Sequence, residues 1–239
     1  MYSTEINGEV FSFGTSGLLY RSNKLMYDRG TETLWVQFYG TPAIGPLAGS
    51  GLELEVLPHA LTTWREWLAL HPDTTVLDIA TGLYPTTTYQ PEYDPTSPYY
   101  EYRTSPDPIF PVYERSTLLP DKELILGVNV QGLPKAYPLR LIQERGVVED
   151  VIGQTAVVVL PTDDGQGARV YESGALSFSA VREQDGTLTV TDGAGRGWRI
   201  QEQALVLEDD PQQTLPRLEA RVAYWFGWFQ FHPTTTVYE

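Results

Sequence analysis

The chain has 239 residues, 31 acidic against 16 basic side chains, a formal net charge of −15 and no cysteine. This charge disfavours binding to nucleic acid or anionic lipid, because both require clustered basic residues. Without thiols the chain forms no disulfide, zinc–thiolate site or iron–sulfur cluster of its own. Its apolar runs are too short to span a bilayer, so the composition predicts a soluble globular protein without a transmembrane segment.

The N-terminal third contains two β patterns. Residues 26–35, MYDRGTETLW, predict a β-hairpin in which Gly30 supplies the positive φ of a short turn. Residues 52–57, LELEVL, alternate leucine or valine with glutamate, which predicts a half-buried strand.

Two short helices are predicted. The first covers residues 64–70, because Thr63 and Glu66 have the spacing of a capping box. The second covers residues 137–146 and ends at Gly146, a residue that commonly follows the last helical turn.

Residues 84–113 hold seven of the 15 tyrosines and seven of the 18 prolines. So many prolines predict that this segment forms no regular element. A flexible linker would be rich in glycine and serine instead. We expect a connector that packs on the surface, with its rings against the protein and its hydroxyls in water.

The remainder of the chain is dominated by strand patterns. Apolar and β-branched runs bounded by Gly, Asp and Pro occur in LILGVNV (residues 124–130), AVVVL (residues 156–160) and ALVLE (residues 204–208). They predict a mainly β protein, or a β-rich α+β fold, with few and short helices.

One phrase occurs twice at identical spacing. Residues 64–76 and residues 225–237 both read Trp-x-x-Trp-x-x-x-His-Pro-x-Thr-Thr-Val, and we call them the first and second Trp–His segments. Ahead of each segment the match is weaker. Residues 10–14 match residues 175–179, and residues 26–35 roughly match residues 190–198. A period this long indicates an internal duplication of a β unit, since solenoid repeats span only about 20–50 residues.

Five stretches together resemble the bacterial and archaeal domain-of-unknown-function family 3179. They are FGTSGLLYRSNKLMYDRGTETLW, AIGPLAGSGLELEVLP, TTWREWLALHPDTTVLD, ILGVNVQGLPKAYPL and VVEDVIGQTAVVVL. The resemblance implies a tandem of two similar halves, usually exported, and no particular reaction. Export is suggested by the resemblance alone, because no secretory leader pattern follows Met1.

The resemblance also implies domain boundaries. We expect a first unit at residues 1–83, the connector at 84–113 and a complete second unit at 109–239. Relatives carry a further segment, usually with a Cys-Pro-Leu-Cys pair, ahead of the position of residue 10. The first unit is therefore expected to be N-terminally incomplete. We expect another protein chain to supply the missing strands by β-augmentation, or a second copy of the chain to pair across the open edge. The alternative is that the second unit packs against the gap, with the connector as cover.

The most polar candidate site is formed by Asp28, Arg29, Trp35 and Gln37 in the hairpin. Asp28 recurs as Asp192, whereas glycine replaces Arg29. One interpretation is a ligand pocket kept only in the first unit. The other is an aspartate that binds its own turn N–H groups.

The Trp–His segments supply the remaining candidates, which we interpret as structural anchors. A histidine at a helix end before proline favours the helix dipole when charged and caps carbonyl groups. The recurrence of the tryptophans with the fold favours a core role, with Trp67→Ala and Trp228→Ala each costing about 3–5 kcal/mol. The anchors are Trp64, Trp67, His71, Trp225, Trp228 and His232.

No catalytic triad, metal-ligand spacing or phosphate loop is recognisable, so catalysis is not favoured and no metal or other cofactor is predicted. The sequence predicts a non-catalytic binding or accessory/structural protein, a class that includes subunits of larger assemblies. The alternative is a redox-handling or metal-handling protein whose cysteine-bearing segment lies on another chain.

Overall fold

The computed structural model describes residues 1–89, 91, 93–163, 165–182 and 188–239. Within those residues the chain forms eighteen strands in four sheets, together with four short α-helices. This confirms the prediction of a mainly β fold. No helix in the described part of the chain is long and apolar enough to cross a membrane.

The N-terminal region forms two small antiparallel sheets followed by short helices. A two-stranded sheet precedes a four-stranded one in which the strands follow chain order. The strands are β1 (Glu5–Ile6) and β2 (Glu9–Val10), then β3 (Phe13–Tyr20), β4 (Asn23–Asp28), β5 (Leu34–Val36) and β6 (Thr41–Ile44). The helices are α1 (Trp64–Leu70), a 3-10 turn (Thr86–Tyr89) and α2 (Tyr100–Thr104).

The C-terminal region contains the two remaining sheets. Its strands are β7 (Leu124–Val130), β8 (Leu133–Pro138), β9 (Val148–Ile152), β10 (Thr155–Pro161), β11 (Ala168–Glu172), β12 (Phe178–Arg182), β13 (Leu188–Asp192), β14 (Gly197–Ile200), β15 (Ala204–Leu207), β16 (Thr214–Leu218), β17 (Ala220–Tyr224) and β18 (Thr236–Val237). Its helices are α3 (Leu139–Arg145) and α4 (Trp225–Phe231).

These strands pair into an eight-stranded sheet and a four-stranded sheet. The larger has the order β12-β13-β14-β15-β16-β11-β10-β9, and the smaller has the order β17-β7-β8-β18. In the smaller sheet the terminal strand β18 runs parallel to β8. One apolar core lies between α3 and strands of both sheets, and another surrounds α4.

Both predicted helices exist. Helix α1 has the predicted bounds, and Thr63 Oγ1 accepts the N–H of Glu66 at 3.1 Å. Helix α3 begins two residues later than predicted, because Tyr137 still belongs to β8. It ends before Gly146, whose φ of 73° lies in the left-handed region that glycine tolerates.

Three local predictions are wrong. The hairpin turn takes its positive φ at Glu32, not at Gly30, because Asp28 fixes the turn through its side chain. Residues 52–57 alternate in burial but make only one bridge, between Tyr2 and Val56. The connector contains the 3-10 turn and α2, and five of its tyrosines are exposed: Tyr84, Tyr89, Tyr93, Tyr99 and Tyr113.

Candidate functional site

The carboxylate of Asp28 is occupied by its own hairpin. Its Oδ1 accepts the N–H of Thr31 at 2.6 Å, and its Oδ2 accepts Trp35 Nε1–H at 3.1 Å. Burial alone would raise the pKa of Asp28, but these hydrogen bonds outweigh it and lower the pKa. Asp28 is 1% exposed and Trp35 is fully buried, so this pair stabilises the turn.

The other two residues of the proposed polar site lie apart from this pair. Arg29 is exposed and donates from Nη1 to the hydroxyl of Tyr27 at 2.9 Å. Gln37 is also exposed, and its backbone carbonyl accepts the hydroxyl of Tyr2 at 2.8 Å. The structure therefore brings together Asp28 and Trp35 but does not assemble all four residues into one pocket.

The same carboxylate–indole arrangement occurs in the C-terminal region. Asp192 Oδ2 accepts Trp198 Nε1–H at 3.0 Å and the Nε–H of Arg196 at 2.8 Å. Burial acts to raise the pKa of Asp192, but these bonds and those from backbone N–H groups lower it to about 2. Two hairpins that differ in sequence thus use the same device to fix a turn.

The two Trp–His segments also have the same local structure. In the first, Trp67 Nε1–H donates to Thr74 Oγ1 at 2.9 Å, and the Trp67 and His71 ring centroids are 4.0 Å apart. In the second, Trp228 Nε1–H donates to Thr235 Oγ1 at 2.9 Å, and its ring centroid is 4.1 Å from that of His232. Sequence reasoning missed the threonine, although its fixed spacing after the tryptophan was visible.

Both histidines cap their helices through their backbone N–H groups. The N–H of His232 donates to the carbonyls of Trp228 and Phe229, and that of His71 to the carbonyl of Trp67. Burial, assisted by the nearby Arg221, lowers the pKa of His232 to about 4. The expectation that His232 favours the dipole as a cation is therefore wrong at neutral pH.

The second Trp–His segment is covered by strands on both of its sides. Trp225 is fully buried and Trp228 is 2% exposed, within a cluster that includes Ile125 of β7 and Val36 of β5. A Cβ at Gly127 of β7 would collide with the Trp228 ring, so only glycine permits this close packing. Beyond the helix, the chain continues as β18 and pairs with β8.

The first Trp–His segment exposes the corresponding side chains. Trp64 is 50% exposed, Leu68 39% and Val76 66%, and Trp67 is half-buried. Residues 75–76 belong to no strand in the described structure. The interpretation of Trp64 as a core anchor is therefore wrong, because no described strand covers that face of α1.

The opposite face of α1 is fixed by charged groups of the C-terminal region. Arg169, which is 1% exposed, donates from Nη1 to Glu66 Oε1 at 2.5 Å. Arg65 pairs with Asp163 at 2.5 Å, and the N–H of Asp163 donates to Glu66. Sequence reasoning assigned Glu66 to the capping box and missed this contact, because its partner lies 103 residues away.

A further acidic residue extends this buried network. Glu202 accepts Arg217 Nη1–H at 2.6 Å and lies 3.6 Å from Arg169 Nη2. His71 Nε2 is 3.8 Å from Glu202 Oε1, so the first Trp–His segment also approaches this group. The charges of the two arginines balance those of Glu66 and Glu202, and the network holds α1 in place.

In the described part of the chain, no group of three or more His, Asp or Glu side chains is arranged to hold a metal ion.

The comparisons with known proteins agree with the resemblance drawn from the sequence. A family model described as a protein of unknown function, DUF3179, matches residues 1–235. No curated protein and no solved structure matches the chain.

Proposed function

Since this chain belongs to the DUF3179 family, whose description names no reaction, we propose from its geometry that it is a non-catalytic accessory protein that binds a partner chain. The interaction surface is the exposed face of the first Trp–His segment, formed by Trp64, Leu68 and Val76. One observation carries the proposal: two segments of the same local structure are covered in one place and uncovered in the other.

The second Trp–His segment serves as a template for the partner. There, the β7–β8 hairpin places Gly127 against Trp228 and offers β8 as a parallel neighbour to Thr236–Val237. A partner that covers the first segment in the same way is a β-hairpin with a small residue facing Trp67. One of its strands pairs with residues 75–76, which is a form of β-augmentation.

The surface has the properties of a small interface core. It combines an indole, a leucine and a valine, and aromatic anchors of this kind dominate binding energy at protein interfaces. Helix α1 itself is fixed from behind by the contact of Glu66 with Arg169, so the face is presented on a rigid element. A preorganised surface loses less conformational entropy on binding.

The test compares two double variants for their effect on assembly. Trp64→Ser/Val76→Ser alters the proposed surface, and Val151→Ser/Val181→Ser alters two other exposed valines, in β9 and β12. Sedimentation velocity and co-purification from the native host are expected to show a complex for the wild type and the control. The complex should be lost in the Trp64/Val76 variant.

Two results would contradict the proposal. One is a 26.8 kDa monomer at high concentration with no co-purifying chain. The other is a complex that survives Trp64→Ser/Val76→Ser. If the wild type forms a homodimer and Trp64→Ser/Val76→Ser does not, the partner is a second copy of this chain. Metal analysis of any complex tests the redox-handling or metal-handling alternative, which requires metal or cysteine in the partner.

A further inference from the structure

A concave site lies beside helix α4, and its lining includes none of the residues Trp64, Leu68 and Val76 of the proposed partner surface. Its volume is about 360 Å³, and it opens where the N-terminal segment, α2, β17 and α4 meet. Ligand pockets in proteins commonly occupy about 300–1,000 Å³ and are lined by aromatic groups with a few polar ones. We call it the Gly227 cavity; its lining includes Tyr2, Phe38, Tyr102, Arg221, Tyr224 and Gly227.

Gly227 is the first indication that this space is functional. It lies in the middle of α4, where glycine costs about 0.5–1 kcal/mol relative to alanine. A Cβ at this position would meet no atom within 4 Å, and the backbone does not require a positive φ. Neither packing nor backbone conformation therefore explains the glycine, whereas any larger side chain would project into the cavity.

The corresponding helix position in the first Trp–His segment carries a carboxylate. It is Glu66, which is bound by Arg169 Nη1 at 2.5 Å and by the N–H of Asp163. Helix α4 supplies no side chain at the equivalent position, yet an arginine, Arg221, lines the space beside it. A carboxylate brought by a ligand would take the role that Glu66 fulfils in the first segment.

The lining is electropositive although the protein is acidic. Among the described residues that line the cavity there is no carboxylate, in a chain with 31 acidic residues. The Arg221 guanidinium lies 5.3 Å from the ring centroids of Tyr2 and Phe38, which line the same cavity. This cation packs against the two rings and favours a negatively charged ligand.

Glu219 is the group that opposes this charge. Its Oε1 accepts Arg221 Nη2–H at 2.8 Å, while Arg221 Nη1 donates to the carbonyl of Phe38. Arg221 Nε–H also donates to Glu219 Oε1, at 3.2 Å, so the ion pair fixes the guanidinium at the edge of the cavity. Because the side chain of Glu219 is 47% exposed, solvent partly screens its charge. Removing that carboxylate would increase the attraction of an anion.

We propose that the Gly227 cavity binds a small, flat, monoanionic ligand of the aromatic carboxylate class. Its ring packs among Tyr2, Phe38 and Tyr224, and its carboxylate lies toward Arg221. This site is separate from the partner-binding surface, so either proposal can fail without the other.

The first experiment measures calorimetric binding of three probes of similar shape to the full chain. These are benzoate, neutral benzamide and cationic benzamidinium. We expect benzoate to bind about tenfold or more tightly than benzamide, as a charge-assisted contact is stronger than a neutral one. Benzamidinium should not bind measurably. Equal binding of the three, or no binding of benzoate, overturns the proposal.

The second experiment varies the cavity. Gly227→Leu should abolish benzoate binding while its melting temperature stays at or above the wild-type value, because leucine favours the helix and fills space. The matched variant Gly227→Ala should keep binding within about threefold, as it adds a single methyl group to about 360 Å³. Unchanged benzoate affinity in Gly227→Leu contradicts the assigned location.

Variants of the charged residues test the orientation of the ligand. They also test the site itself if Gly227→Leu does not fold. Arg221→Gln should abolish the preference for benzoate over benzamide. Glu219→Gln should increase benzoate affinity severalfold without changing benzamide binding, because it leaves the charge of Arg221 uncompensated. A decrease of benzoate affinity in Glu219→Gln would contradict the role given to Arg221.

Discussion

The residues around His232 shift the pKa of its imidazole ring. It stacks on Trp228 and lies 5.9 Å from the ring of Phe38, with Arg221 lining the same pocket. Burial in these surroundings, with the positive charge of Arg221, lowers its pKa to about 4. In the unfolded chain a histidine has a pKa of about 6.5.

This difference makes stability depend on pH with a definite sign. Between pH 6.5 and 4 the unfolded chain binds more protons at this site than the folded one, so stability falls as the pH is lowered. His232→Gln should reduce that slope in urea denaturation measured at a series of pH values. The remaining slope includes His59, whose pKa is also lowered by burial. A His232 ring that titrates near pH 6.5 by NMR would contradict the assignment.

At the scale of elements, α1 and α4 show that one local structure acquires different stability from its surroundings. Trp228 is 2% exposed and packs on β7, whereas Trp64 is 50% exposed. Trp228→Ala should cost about 3–5 kcal/mol of unfolding free energy, as for other large core residues. Trp64→Ala should cost less than about 1 kcal/mol, the usual range at a surface.

Trp67 completes the comparison between the two helices. It is half-buried and loses a hydrogen bond to Thr74 when truncated, so Trp67→Ala should lie between those two values. This is less than the cost expected from the sequence alone. Chemical denaturation of the three variants gives the order directly. Equal losses for Trp64 and Trp228 would mean that α1 is covered in solution by the protein itself.

At the scale of the molecule, the buried pair of Arg169 and Glu66 joins the N-terminal and C-terminal regions. Arg169→Met should cost about 3–5 kcal/mol, because it removes the cation that pairs with the buried carboxylate of Glu66. The double variant Arg169→Met/Glu66→Met should lose less than the sum of the two single variants. The pair of Arg140, which is exposed, and Glu123, which is partly exposed, is the control; at 3.0 Å it should show coupling below about 1 kcal/mol. Additive losses at Arg169 and Glu66 would show that the contact does not couple the regions.

The sequence by itself determined the features that short-range interactions fix. Helix α1 follows from the capping residue Thr63, and helix α3 ends where Gly146 adopts its left-handed conformation. The two Trp–His segments share one local structure, since the indole, threonine and helix cap that form it lie within eight residues of one another. Such contacts have the same partners wherever the segment occurs.

Only the tertiary structure decided which of these features are buried, charged or open. The same phrase is covered around Trp228 and exposed around Trp64, because strands distant in sequence reach one and not the other. Glu66 fits the capping-box spacing, but its side chain binds Arg169. The space beside Gly227 is enclosed by residues as distant in sequence as Tyr2 and Tyr224. Burial and electrostatics depend on what surrounds a side chain in space, and no local pattern encodes those neighbours.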